Sequence, residues 1–330
     1  MGLEPIFTAT IAPVLAVLTL TFPFFALVLC GYLATRAGAL ALPAIAGLNG
    51  FVLYFALPAM LYRFGAATPI RELLDPWAAG LYLLAAALLV AGVIWRTRRA
   101  GIGWNDAAFG ALVTAFPNTG FMGLPLLVAL MGQESAGTVI VVLTVDMIIT
   151  SSACIALSRL EGAGAHGVAV ALRSAVRGMA VNPMPWAIVL GTLASATRLQ
   201  LPGPVDKTVA MLADAASPVA LFTIGAVLAR SQMNQSEWVA PRQYWPLALV
   251  KLVVHPLLVW LLGRAAIALG APLPAYTLAV MVLLAALPSA SNVSLLAERF
   301  GAHGGRVARI ILVSTALAFV SFSAVVALLV

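Results

Sequence analysis

Two prolines, two glycines and an Asn-Thr pair interrupt a long apolar run in the segment AFPNTGFMGLPLL, residues Ala115–Leu127. Pro117 has no N–H group and its ring displaces the carbonyl of Val113, so the regular hydrogen bonds of a helix fail there. Gly120 and Gly123 let the chain unwind and let a ligand approach the backbone. Because a helix that restarts beyond such a break has unpaired amides and a positive dipole end, it suits a carboxylate. These residue types therefore predict a neutral cradle for an anion.

A second apolar run carries a matching interruption in the segment LPSASNVSLL, residues Leu287–Leu296, where small and polar residues again follow a proline. In transporters, matching interrupted segments in two halves of a chain indicate a substrate site near the middle of the membrane. For each polar side chain the alternative is a structural hydrogen bond between helices, or, for Ser289, a helix cap. The residues predicted to bind substrate are Asn118, Thr119, Gly120, Phe121, Ser289, Ser291 and Asn292.

Three ionisable residues lie within apolar runs, where a charge costs about 2.5 to 3.5 kcal/mol even on insertion scales. Asp146 lies in one run. Lys251 and His255 lie in another run, one helical turn apart and on the same face. The two runs enter from opposite sides, so a direct ion pair depends on where each run begins. We hypothesise that Lys251 attracts the anion or moves with it, and that Asp146 or His255 carries a coupled proton. The alternative is a structural ion pair or a lysine that snorkels to the interface.

The composition is that of a protein that crosses a membrane many times. Hydrophobic residues make up 63% of the chain and charged residues 9%, against about 25% charged in soluble domains. A membrane helix needs about 20 apolar residues, and ten stretches meet this length. The expected fold class is an all-α polytopic membrane protein in which the fourth and ninth helices are broken. The predicted helices cover residues 13–34, 48–64, 77–95, 109–131, 139–157, 179–197, 208–229, 245–269, 276–297 and 307–330.

The chain divides into two related halves. The segments ALPAMLYRFGA, Ala56–Ala66, and ASPVALFTIGA, Ala216–Ala226, agree at five of eleven positions and share the pattern P-x-x-L-x-x-x-G. Because each half holds five spans, the second half enters the membrane from the opposite side, which makes an inverted repeat. We predict one membrane domain with a first repeat at residues 1–158, a cytoplasmic linker at 159–178 and a second repeat at 179–330.

The basic residues predict the orientation. With the N-terminus outside, the cytoplasmic loops hold twelve arginines, and the opposite loops and helix ends hold five basic residues. Because basic residues concentrate in cytoplasmic loops, we expect both termini on the outer side of a bacterial inner membrane. The same loops explain the net charge of +7 through contact with anionic lipid, so nucleic acid is not expected as a partner.

Four segments resemble the auxin efflux carrier family, which includes bacterial carboxylate carriers such as malonate permease-like proteins and the plant PIN proteins. The resemblance covers nearly the whole chain, and its most specific part is the N-T-G-F-M-G block at residues 118–123. The four segments are FPNTGFMGLPLL, LPSASNVSLLAERFG, FVLYFALPAMLY and LVKLVVHPLLVWLL.

This resemblance implies ten helices in two inverted five-helix repeats, with helices four and nine crossing at Pro117 and Pro288 beside the substrate. It also implies a scaffold part, a transport part that moves in an elevator-type manner, and often a homodimer. Compared with plant members, the chain lacks a long central hydrophilic loop. No cofactor or metal is expected, and the possible coupling ion is H⁺ or Na⁺.

Three classes of function are open from the sequence. The first is a secondary transporter that moves a small organic anion, such as malonate or malate, by alternating access. The second is a carrier of the wider crossed-helix class that is coupled to H⁺ or Na⁺ through Asp146 and the carbonyls freed at Pro117 and Pro288. The third is an intramembrane enzyme, which is disfavoured because the sequence has no H-E-x-x-H, G-x-S-x-G or Walker A motif.

Cysteine labelling tests the orientation. A cysteine introduced into the Arg96–Arg99 loop is expected to face the cytoplasm, because this loop is among the most basic in the chain. A membrane-impermeant thiol reagent should leave it unlabelled in intact cells and label it after permeabilisation. Labelling from outside intact cells would show that the predicted orientation is wrong.

Overall fold

The computed structural model describes residues 4–160, 183–233 and 239–329, and the regular structure in these ranges is helical. In several places an α-helical segment continues directly into a π-helical one, and we number such a continuous helix once. The helices are α1 Glu4–Arg36, α2 Ala44–Ala67, α3 Pro76–Arg99, α4 Trp104–Ala115, α5 Thr119–Met131, α6 Ser135–Ser158, α7 Pro183–Thr197, α8 Gly203–Met233, α9 Trp245–Ala268, α10 Ala275–Ala286, α11 Asn292–Arg299 and α12 Gly304–Leu329.

The structure is that of an all-helical, multi-pass membrane protein, as the composition predicted. Six of the described helices are long and apolar enough to cross a membrane: α2, α3 with the short turn before it, α6, α8, α9 and α12. Shorter apolar helices cover Thr21–Arg36, Thr119–Met131 and Ala275–Ala286. The predicted linker at 159–178 falls almost entirely outside the described residues, as does the beginning of the predicted helix at 179–197.

Helix α3 illustrates how the sequence sets the ends of these helices. The carboxylate of Asp75 accepts hydrogen bonds from the amides of Trp77 and Ala78 at 2.9 and 3.0 Å, and Pro76 occupies the first helical position. Both features are typical of a helix start. Three arginines in the last turn complement the negative end of the helix dipole. Gly101, with φ of 79°, then turns the chain toward α4.

Four of the described helices widen into a π-helical turn. Three of these turns end two residues before a proline, which is Pro58, Pro125 or Pro256. A proline has no N–H group and pushes away the carbonyl four residues before it, so a wider turn accommodates it. In the fourth turn the hydroxyl of Ser151 donates to the carbonyl of Asp146 at 2.8 Å. The turns are Val52–Ala56 in α2, Thr119–Gly123 in α5, Val145–Thr150 in α6 and Val250–Val254 in α9.

The helices pack in two groups. In the first helix group, α1 packs along α8, α8 along α2, and α2 along α7. In the second helix group, α3 packs on α4 and α9, α4 packs on α6, and α12 packs on α9, α10 and α11. The two groups meet where α12 touches α1 and α8, and where α8 touches the beginning of α5.

Two glycines allow α1 and α8 to approach each other closely. A Cβ atom at Gly225 would overlap the carbonyl oxygen of Val28, and a Cβ atom at Gly31 would overlap the carbonyl oxygen of Phe222. Small residues at a helix crossing let two backbones come together, which strengthens van der Waals packing inside a membrane. The close contact between α1 and α8 therefore depends on these two positions.

Basic residues gather at one end of the helices, which we call the arginine-rich end. The buried Arg306 connects the beginning of α12 to the beginning of α4 and to the turn before α9, because its Nε donates to the carbonyl of Gln243 at 3.0 Å and its Nη1 to the carbonyl of Asp106 at 3.1 Å. The carboxylate of Asp106 in turn accepts from the amide of His303 at 2.7 Å. Which face of the membrane this end occupies stays a prediction. The arginine-rich end is defined by Arg36, Arg98, Arg159, Arg299, Arg306 and Arg309.

Gly225→Ala is expected to destabilise the fold, because the added Cβ atom would push α8 away from α1. Gly92→Ala in α3 is the matched control, since a Cβ atom there meets no atom within 4 Å and alanine favours a helix over glycine by about 1 kcal/mol. Thermal unfolding of the purified protein in detergent should give a lower Tm for Gly225→Ala and an unchanged or higher Tm for Gly92→Ala. Equal Tm values for the two variants would argue against a close crossing of α1 and α8.

Candidate functional site

The two interrupted segments lie against each other and exchange backbone hydrogen bonds. The amide of Asn118 donates to the carbonyl of Pro288 at 2.8 Å. In return, the amide of Ala290 donates to the carbonyl of Phe116 at 3.0 Å. Each break thus satisfies backbone groups that the other break has removed from its helix, which lipid could not do.

Pro117 lies opposite Ser289 in the resulting antiparallel bridge. The sequence predicted unpaired amides where the helix restarts, but the amide of Asn118 is bonded across the bridge and the amide of Thr119 donates to the carbonyl of Pro117 at 2.7 Å. For these two amides the prediction is wrong, because the second interrupted segment and the local turn take the place of a ligand. We call the following residues the crossing: 116–121 and 288–292.

Three buried polar atoms of the crossing have no hydrogen-bond partner among the described residues. They are Oγ1 of Thr119, Oγ of Ser289 and Oδ1 of Asn292. A buried polar atom left unpaired costs about 1 to 3 kcal/mol, so such atoms in a folded protein indicate a ligand or an ordered water molecule. All three residues belong to the set predicted to bind substrate, and they come from both interrupted segments.

The remaining residues of the predicted site lie in the same place. Asn118, Phe121 and Ser291 are buried, and Gly120 is half-buried. A Cβ atom added at Gly120 would meet two leucine side chains at ordinary van der Waals distances of 3.6 and 3.7 Å. Packing alone therefore does not require the glycine, which is consistent with its predicted role of leaving the backbone open to a ligand.

Asp146, Lys251 and His255 are fully buried, and they join into one cluster through Tyr82, which the sequence analysis missed. The hydroxyl of Tyr82 donates to Oδ2 of Asp146 at 3.1 Å, and its ring centre lies 5.9 Å from that of His255. Nζ of Lys251 lies 2.9 Å from Nδ1 of His255. Lys251 and Asp146 attract each other but do not form an ion pair within 4.0 Å in the described structure. The four side chains are the buried charge cluster.

Lys251 also supports the end of the broken helix α10. Its Nζ donates to the carbonyl of Ala285 at 2.9 Å, in the last turn of that helix. In an unbroken helix this carbonyl would accept from the amide of Ser289, but that amide donates to the hydroxyl of Ser314 at 3.2 Å. A cation is favourable at the C-terminal end of a helix, where carbonyls lack partners and the dipole is negative. Lys251 therefore connects the buried charge cluster to the crossing.

Three of the π-helical turns carry residues of the predicted site. Thr119 begins the turn in α5, Asp146 lies in the turn in α6, and Lys251 lies in the turn in α9. Such single wide turns occur frequently at functional sites. The described ranges contain no group of three or more His, Cys, Asp and Glu side chains that could hold a metal ion.

Comparison with known proteins decides the class of this molecule. The sequence matches the protein family described as "Membrane transport protein" over residues 16–326. The chain belongs to this family, which includes the auxin efflux carriers. As a member of a transporter family it is a membrane transporter and not an enzyme, which confirms the expectation from its motifs.

Several relatives of this transporter share a similar level of identity with it. The "Putative malonate transporter" of Rhizobium meliloti is 28% identical over 303 residues, which cover 90% of this chain and 91% of that protein. The "Uncharacterized transporter YfdV" of Escherichia coli is 28% identical over 294 residues, which cover 85% of this chain and 87% of that protein. "Auxin efflux carrier component 7" of Arabidopsis thaliana is 28% identical over 156 residues, which cover 44% of this chain and 24% of the plant protein.

Proposed function

We propose that this transporter carries a small organic anion, a mono- or dicarboxylate such as malonate or malate, and binds it at the crossing. The observation that carries the proposal is the set of three buried, unpaired polar atoms contributed by both interrupted segments. The hydroxyls of Thr119 and Ser289 can donate to a carboxylate. The amide of Asn292 can turn its NH₂ group toward it, because an amide side chain fits in either flipped orientation. The name of the relative from Rhizobium meliloti supports a carboxylate.

The proposal includes ten membrane helices in two inverted repeats, at residues 1–158 and 179–330. In this arrangement α4 with α5 is the fourth membrane helix and α10 with α11 is the ninth. The packing supports it, because each helix group takes corresponding helices from both halves. The first helix group then serves as the scaffold, and the second carries the crossing from one side to the other in alternating access. A homodimer in a bacterial inner membrane, with both termini periplasmic, belongs to the same proposal.

A second candidate function is coupling of transport to H⁺ or Na⁺ through the buried charge cluster. The observation that favours it is the link from Lys251 to the carbonyl of Ala285 at the end of α10. In the membrane interior an anion that moves alone adds an uncompensated charge. Asp146 and Lys251 balance each other when both are charged, so a proton on Asp146 or His255 adds one positive charge. That charge would offset one negative charge of the bound anion.

Thr119→Val tests the proposed site with little change in shape. The substitution removes an unpaired hydroxyl, so the protein should fold as before and bind malonate at least about tenfold more weakly, since a hydrogen bond to a charged group contributes about 1.5 to 3 kcal/mol. Asn118→Ala should also lose malonate binding at the crossing. Thr114→Val is the matched control, because the hydroxyl of this nearby buried threonine donates to the carbonyl of Gly110 within its own helix at 2.7 Å.

The measurement is the rise in Tm of each purified variant with malonate concentration, because a ligand of the folded state stabilises it by mass action. The control should keep the full response. Undiminished stabilisation of folded Thr119→Val and Asn118→Ala would remove the crossing as the binding site. Screening other carboxylates in the same assay, followed by counterflow in proteoliposomes, then tests which of them are transported.

Asp146→Asn is expected to uncouple transport while leaving exchange intact, because the side chain keeps its shape but no longer changes charge. Malonate uptake into proteoliposomes should lose its dependence on an imposed pH or sodium gradient, and malonate counterflow should persist. Asp214→Asn is the control, since this carboxylate is exposed and pairs with Arg63 at 3.0 Å. A gradient response of Asp146→Asn equal to that of the unaltered protein would exclude Asp146 as the coupling group.

A further inference from the structure

A polar cavity lies at the arginine-rich end, between α1, α8 and α12. Its volume of about 280 Å³ is at the lower edge of the roughly 300 to 1,000 Å³ found for small-molecule pockets. Arg36, the last residue of α1, and Arg309, in the second turn of α12, line it together with Ser231 and Gln232 of α8. The deeper wall is apolar and includes Leu312 of α12.

The charge and the hydrogen-bonding groups of this cavity suit an anion. Both guanidinium groups stay positively charged at physiological pH, and none of the described residues that line the cavity is acidic. The side-chain oxygen of Gln232 accepts from the hydroxyl of Tyr32 at 2.5 Å, which leaves its NH₂ group as the donor that it can offer to a ligand. Arg309 lies 5.7 Å from the ring centre of Tyr244, a cation–π contact that helps to orient the guanidinium.

Two of the helices that line the cavity, α8 and α12, also contact the crossing. Leu312 lies two residues before Ser314, or about 3 Å along the axis of α12. The hydroxyl of Ser314 accepts the hydrogen bond from the amide of Ser289. The opposite wall is α8, which also packs against Thr119–Gly123. An anion held by Arg309 would therefore lie only about two helical turns from the polar atoms of the crossing.

We propose that the cavity is an anion-binding site that captures a carboxylate at the arginine-rich end before the crossing receives it. That the occupant is the transported anion rests on the function proposed above. Paired N–H donors of arginine recognise carboxylates and phosphates alike, so the headgroup of an anionic lipid shares this chemistry. The small volume of the cavity favours the soluble carboxylate.

Thiol labelling of Ser231→Cys measures the sign of the charge inside the cavity. The variant is made in a Cys30→Ala background, because Cys30 is exposed. An anionic methanethiosulfonate should react at least about tenfold faster than a cationic one, since a positively charged cleft concentrates anions, and malonate should slow the reaction. Arg309→Gln and Arg36→Gln should each reduce both effects, whereas Arg96→Gln, at an exposed arginine outside the cavity, should not.

Arg36 is exposed, so Arg36→Gln is expected to fold. This variant therefore tests the proposal even if Arg309→Gln does not fold. Protection by malonate in detergent without added lipid supports the proposal. Equal rates for the two reagents, or effects that persist in the folded arginine variants, would overturn it. Protection by phosphatidylglycerol in phosphatidylcholine vesicles, with none by malonate, would also overturn it and would identify a lipid site instead.

Asn118→Ala separates this proposal from the proposed function. The variant should keep malonate protection at Ser231→Cys although binding at the crossing is lost. If the Ser231→Cys protein with an intact Asn118 shows this protection but transports no carboxylate, the anion site stands and the proposed function fails. If it transports malonate but shows no protection, the function stands and the capture site fails.

Discussion

Backbone groups that lose their helical partners inside a membrane are the constraint on which the rest of this structure depends. Lipid offers neither a donor nor an acceptor, so each interrupted helix must find partners within the protein. The two bonds exchanged at the crossing supply them. The same arrangement buries Thr119 and Ser289 where their hydroxyls remain unpaired. The break that threatens the fold is therefore also what produces a polar site, because regular helices would have carried these hydroxyls away from each other.

The buried charge cluster answers the same constraint at the end of α10. The break takes the amide of Ser289 away from the carbonyl of Ala285, and Lys251 donates to that carbonyl in its place. A buried ammonium needs compensation, and Asp146, held by Tyr82, is the acidic side chain of the same cluster. A change of protonation in this cluster therefore acts on the group that supports the broken helix. The bond from Lys251 to the carbonyl of Ala285 would therefore be enough to couple an ion to the crossing.

The sequence could predict the interruptions because proline and glycine act on their own backbone. Polar residues next to a proline within an apolar run then indicated the residues of the crossing. Tyr82 was missed because its contact with Asp146 depends on which helices pack against α3. The apolar residues around Tyr82 in the sequence do not indicate that packing. The amide of Asn118 was mispredicted because its partner, Pro288, lies in a distant segment. Three of the π-helical turns do have a local signal in the sequence, a proline two residues beyond each turn.

Under the proposed function, the distribution of charge separates the attraction of the anion from its release. Arg36 is exposed at the arginine-rich end, where water solvates a guanidinium whether or not an anion is bound. The polar atoms of the crossing are neutral and buried. An arginine in their place would be left buried and unpaired each time the carrier returned empty, at a cost on the order of several kcal/mol. Neutral donors avoid this cost because losing the anion leaves no charge behind. The buried Lys251 is consistent with the same rule, since its Nζ already has two partners in the empty protein, Nδ1 of His255 and the carbonyl of Ala285.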